Sequence, residues 1–151
     1  MSSKKVLVVQ SAADTFTTTQ ISTGLTSDGK SGWEITALEA FWSNGESVAA
    51  ADYEINAVLA TISTATNFDD IDEIARISWG LQNTGGVAVA VPYDPVKEKL
   101  LIEPRLTVQP ILFLGVISSA TAQANSVRIA VTYNIVKLTD LEVLRLLQGG
   151  A

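Results

Sequence analysis

Few residues in this chain could do chemistry, and almost all of them are carboxylates. Asp69, Asp70, Asp72 and Glu73 form its densest acidic cluster. Hard cations such as calcium take several carboxylate and carbonyl oxygens, so a metal site is one reading. The spacing lacks the regular ligand positions of an EF-hand loop, however. Acids grouped in this way also suit a water-facing helix start, where they oppose the helix dipole. The second reading is the stronger, and no metal or cofactor is expected.

The chain has no histidine and no cysteine. That removes the Ser-His-Asp and Cys-His arrangements, ordinary zinc sites and any disulfide. Neither G-x-x-x-x-G-K-[ST] nor G-x-G-x-x-G occurs, so no phosphate-cradling loop is indicated. A glycosidase needs two carboxylates across a cleft. Glu34, Glu39 and Glu54 lie in strand-like runs and could be recruited, but a chain with 16 acids offers such pairs by number alone. No catalytic residue is assigned, and the protein is expected not to be an enzyme.

Trp33, Trp42, Trp79, Tyr53, Tyr93 and Tyr133 could form a sugar-stacking platform. Trp33 and Tyr133 fall on the apolar side of alternating runs, which favours core packing. Trp42 breaks phase after Phe41 at a strand end, making it the best aromatic candidate for an interface or ligand contact.

The elements that would position these residues are mostly strands. The chain has 151 residues, 47% apolar and 17% charged, which suits one ordered domain over 1–151. In "VRIAVTYNIV", Val127, Ile129, Val131, Tyr133 and Ile135 alternate with polar residues. "DYEINAVLATIS" places Tyr53, Ile55, Ala57 and Leu59 together, and "GWEITALEAFW" does so with Trp33, Ile35, Ala37 and Phe41. A period of two marks half-buried antiparallel strands. Strand-like runs fall at 4–10, 15–23, 33–42, 52–62, 74–82, 87–91, 98–103, 106–117 and 127–137. Turn signals part them: "SDGKSG", "SNGE" with its Asn44-Gly45 hairpin cue, "NTGG", "PYDP" and "SSATAQANS". This layout predicts an all-β antiparallel two-sheet sandwich of jelly-roll type with about eight strands, a Greek-key sandwich of another topology being the alternative.

Two helices are considered. "NFDDIDEIARI" (67–77) can open as a helical turn or lead directly into a strand. At the C-terminal end, Thr139 and Glu142 have capping-box spacing and Gly149-Gly150 is a stop, predicting a helix over 139–148. Leu141, Val143, Leu144, Leu146 and Leu147 make most of its circumference apolar.

The run "PILFLGVIS" is apolar on both faces. Leu112, Leu114 and Val116 alternate with Ile111, Phe113 and Ile117. One face of an antiparallel sandwich strand should meet water, so the second face needs a cover, from the C-terminal helix or from a neighbouring copy. The longest apolar stretch is far short of the roughly 20 residues that span a bilayer. The start "MSSKKVLVV" reads as an arm or first strand over 1–13, its apolar portion being too short for a signal peptide.

The segments "DTFTTTQISTGL", "GWEITALEAFW", "LLIEPRLTVQPILFLGVIS" and "SVRIAVTYNIVKLTDLEVLRLLQGG" together resemble a viral single jelly-roll capsid (coat) protein in layout. The resemblance implies a shell subunit that tiles with copies of itself into an icosahedral particle, with terminal segments reaching across neighbours. Many coat proteins of that kind carry a long basic arm for the genome. Here only Lys4 and Lys5 precede the first strand and the net charge is −6, which speaks against direct nucleic-acid binding. A second shell protein is an allowed partner. Synthesis in the host cytoplasm and residence in the virion follow as expectations. The interface residues expected are Trp42, Ile111, Phe113, Ile117, Leu141, Leu144 and Leu147. The competing reading is a non-catalytic binding module, such as a phage decoration or fibre domain or a carbohydrate-binding sandwich.

Overall fold

Alternation of apolar and polar side chains is realised as strand along most of the chain. A computed structural model describes residues 1–25, 30–42, 48–49, 52–67, 70–81, 89–90, 96–119 and 124–148. The strands are β1 (Ser2–Val9), β2 (Thr17–Ser22), β3 (Ser31–Trp42), β4 (Val48–Ala49), β5 (Tyr53–Ala60), β6 (Glu73–Leu81), β7 (Val89–Ala90), β8 (Val96–Thr107), β9 (Ile111–Ser119) and β10 (Ser126–Lys137). One helix, α1 (Asp140–Gln148), follows. The cues at Asn44-Gly45, 83–86, 92–95 and Gly149-Gly150 lie outside the described residues.

One sheet has the order β1-β10-β3-β8 and the other β2-β9-β5-β6, with β4 and β7 forming a small third ladder. All pairings are antiparallel. Among the eight long strands, the first pairs with the last, the second with the seventh, the third with the sixth, and the fourth with the fifth. A long hairpin rolled up on itself pairs its strands in that nested way, and the result is a jelly roll. The first residues are therefore strand: β1 closes one edge against β10, with Val8 opposite Val127.

The core lies between the two sheets. Val127, Ile129 and Val131 from β10 meet Ile55, Leu59, Leu112, Leu114 and Val116 from the other sheet, each nearly fully buried. Trp33 and Tyr133 stack within it at 3.5 Å between ring centroids. At the opposite end, Trp79 packs on Trp42 and edge-on to Tyr53.

Three local features either decide an alternative the sequence left open or depart from its expectation. Residues 73–81 are strand and 71–72 a turn, so no helix starts the 67–77 segment among its described residues. The runs 98–103 and 106–117 divide elsewhere: β8 continues through Pro104 to Thr107, and β9 begins at Ile111. Proline has no N–H to give a ladder, but β8 is an edge strand and Pro104 sits in a bulge where Thr36 alone faces Ile102, Glu103 and Pro104. The third feature is in β3. Against β10, by contrast, Thr36 is itself the extra residue, since Tyr133 pairs with Ile35 and Thr132 with Ala37. A one-residue bulge reverses which side chains point inward. Ile35 is therefore followed inward by Leu38, Ala40 and Trp42, and Phe41 turns out to solvent.

Candidate assembly surfaces

The outer face of β9 is the first surface, and its cover differs from the expectation. Ile111 is 41% exposed, while Phe113 and Ile117 are half-buried. Between them Gly115 lies under the ring of Phe16, whose edge stands 2.9 Å from where a Cβ would be. Only glycine admits so close a ring. Phe16 belongs to the link between β1 and β2, and a buried network holds that link in place. Gln10 donates to Ser118 Oγ at 3.0 Å and to the Thr15 carbonyl, and accepts from the Asn125 amide at 2.9 Å. Asp14, which has a positive φ of 55°, both donates its amide to Ser118 Oγ and accepts from it. Part of the cover is thus supplied by the same chain, through a residue that the sequence reading did not single out.

The helix is the second surface. The Glu142 carboxylate accepts from the Thr139 amide at 2.6 Å, and the Glu142 amide donates to Thr139 Oγ1 at 3.3 Å, forming a capping box. Those hydrogen bonds to Thr139 hold the Glu142 carboxyl below its ordinary pKa. Its base is anchored by Leu138, whose amide donates to the Lys30 carbonyl at 2.7 Å and whose side chain fills the space over Gly32. Beyond that anchor, α1 has no extensive packing against any strand. Leu141 and Leu144 are 57% and 52% exposed, and Val143 and Leu146 are half-buried. The Leu147 side chain lies outside the described residues. Ile135, in phase with the core but past the last β10 residue that β1 pairs with, is also largely exposed at this end. The helix is not a lid on β9.

The third surface was not foreseen. On the outer face of the β1-β10-β3-β8 sheet, register lines up Leu7, Arg128, Phe41 and Lys97 in one row and Lys5, Ala130, Glu39 and Lys99 in the next. Leu7, Val9, Phe41 and Leu101 are exposed here. A depression of about 270 Å³ opens among Lys5, Glu39, Phe41, Lys97 and Arg128. Lys97 donates to Glu39 at 2.6 Å, and that bond, with Lys99 and Lys5 nearby, lowers the Glu39 pKa. The alternation of "VKEKLL" hints at one cationic stripe, but only the topology sets four strands side by side.

Of the expected interface residues, Trp42 is corrected. It is 1% exposed, inside the sandwich, because the β3 bulge turned it inward. Trp79 is half-buried and Tyr53 buried, so these aromatics form an internal cluster and not an open stacking platform. Tyr93 lies outside the described residues.

The carboxylates do not converge. Asp70 accepts from the Asn67 amide, Asp72 from Thr61, and Glu73 pairs with Arg76 at 2.9 Å. Arg105 donates to the carbonyls of Ile71 and Glu73, tying this loop to β8. Asp69 lies outside the described residues; among the described ones, no group of three or more potential ligands could hold a metal ion. Glu34 and Glu39 face outward from one sheet and Glu54 from the other, with the core between them. No described helix is long and apolar enough to cross a membrane.

No family model and no curated protein matches the chain. Among solved structures it is similar to one of Desmodium yellow mottle tymovirus, at 10% identity over 91% of this chain and 89% of that one, with a TM-score of 0.34. It is also similar to a structure of infectious bursal disease virus Gx strain, at 8% identity, 87% and 32% coverage and a TM-score of 0.22. A third is the infectious bursal disease virus VP2 subviral particle, at 10% identity, 95% and 43% coverage and a TM-score of 0.15. These structures come from viruses.

Proposed function

We propose that this chain, as a single jelly-roll domain over residues 1–151, is a structural subunit that assembles with copies of itself into a viral capsid shell, as a major or minor capsid protein. The observation that carries the reading is α1: an anchored, capped helix that leaves Leu141 and Leu144 open to water. A helix of nine residues is marginal in water by itself, and an uncovered apolar face calls for a partner. Among the described residues, no cluster of potential metal ligands competes with that use of the surface. The outer face of β9, with Ile111, Phe113 and Ile117, adds a second apolar contact.

The mechanism is burial of apolar surface between copies, with no catalytic step. The protein would reside in the virion after synthesis in the host cytoplasm, and a second shell protein could use the same open faces. Direct genome binding is not part of the reading, because the chain is acidic overall. A stable contact should bury above about 1,000 Å². Light scattering with negative-stain microscopy on the purified protein tests it. Uniform closed particles tens of nanometres across support the shell; a clean monomer or trimer refutes it.

A further inference from the structure

Two open surfaces on this molecule complement each other and stand at opposite ends of one strand. The first is the Leu141–Leu144 face of α1, with Asp140 and Glu142 in its first turn and Arg145 in its last, Asp140 also standing 3.8 Å from Lys30. The second is the outer face of the β1-β10-β3-β8 sheet, where Leu7, Val9 and Phe41 are ringed by Lys5, Lys97, Lys99 and Arg128, with Glu39 the one carboxylate among the described residues lining the depression. We propose that α1 of one copy docks on this sheet face of the next copy, leucines against Leu7 and Phe41, acids toward the cations. This rests on the self-assembly reading and names the surfaces that mate.

The helix cannot reach its own sheet face. Arg128 and Lys137 are nine steps apart on β10, about 30 Å at ~3.3 Å per strand residue. Helix α1 starts beyond Lys137, is tethered there by Leu138, and spans only about 14 Å at ~1.5 Å per residue. The contact must therefore be made by a second copy. Donor and acceptor surfaces differ, so the contact is heterologous and propagates head to tail, closing into a ring where the rotation allows. Each copy then takes part twice, once by its helix and once by its sheet.

A polyanion such as nucleic acid would also meet four cations. It offers little to Leu7 and Val9, which are 51% and 53% exposed. A leucine-faced helix with acids in its first turn satisfies both halves of the surface.

The absence of native cysteine makes a cross-linking test clean. The full chain carrying Leu7→Cys with Leu144→Cys, and separately Val9→Cys with Leu141→Cys, is oxidised under assembly conditions. These positions are half exposed, so the fold tolerates them, and melting curves matching the parent verify it. The expected result is a non-reducing ladder of trimers and higher multimers in at least one pair. Single-cysteine variants reach dimers at most. If the unmodified protein forms particles while both pairs stop at dimers or monomers, this docking is overturned and the shell reading stands. If the unmodified protein does not assemble at all, both fall. A labelled single-stranded oligonucleotide gives the remaining arm. Binding that Lys97→Glu with Arg128→Glu removes, without any ladder, assigns the face to nucleic acid and overturns the proposal.

Discussion

Replacing Leu141 and Leu144 together by Gln isolates the assembly contact from the fold. Gln keeps good helix propensity, so α1 persists, and only its apolar face is lost. The two leucines are 57% and 52% exposed in the isolated chain. Full burial of a leucine side chain contributes roughly 1.5–3 kcal/mol, so covering the open half contributes about 1 kcal/mol each. Losing both removes about 2 kcal/mol per contact, and at ~1.4 kcal/mol per tenfold this weakens association about 30-fold. In a concentration series followed by light scattering, the threshold for particle formation should rise by roughly that factor. The melting temperature should hardly move, because side chains already in water contribute little to the fold. An unchanged threshold would refute the reasoning, as would a melting temperature that falls in step with assembly.

Ending the chain at Leu138 removes the helix but keeps its anchor over Gly32, so far-UV spectra should remain β-rich while particles disappear; loss of the β signal would contradict the independence of the sandwich. Leu112→Ala leaves a cavity where the side chain is fully buried and should destabilise the protein by about 2–5 kcal/mol in denaturant titration. Ser118→Ala takes away the hydroxyl shared by Gln10 and Asp14, and about 1–3 kcal/mol is expected from the buried partners left behind; an unchanged midpoint would show that the network does not hold the Phe16 link. The Glu142 carboxyl titrates below its ordinary value of 4.5 in the folded chain, so its contribution is complete above 4.5 and is lost as pH falls through the lower folded value. Helix content measured by circular dichroism should drop there in the native protein, and Glu142→Gln should lack that component of the drop.

Strand identity was legible wherever alternation was clean. The run from Val127 to Tyr133 and the run from Tyr53 to Leu59 declare their buried faces without any partner, because side chains on a strand alternate by geometry. The capping box of α1 was legible for a similar reason: Thr139 and Glu142 interact across three residues of local chain. The lack of histidine and cysteine was decisive at once about the chemistry ruled out. These properties are local, and the sequence by itself determined them.

Tertiary structure decided what depends on neighbours. Phase along β3 reverses at Thr36 because β10 pairs across an extra residue there while β8 bulges opposite it, and that alone moved Trp42 from a surface candidate into the core. Of the two readings the sequence left open for 67–77, the strand prevails from Glu73 onward because β5 pairs with it along its length. The cover over Gly115 is a ring almost a hundred residues earlier in the chain, which no periodicity could announce. The cationic face joins Lys5, Arg128, Lys97 and Lys99 only because the rolled hairpin brings first, last, third and sixth long strands into one sheet. Spacing along a chain specifies which side chains share a face, whereas the closing of the sheets specifies which faces meet.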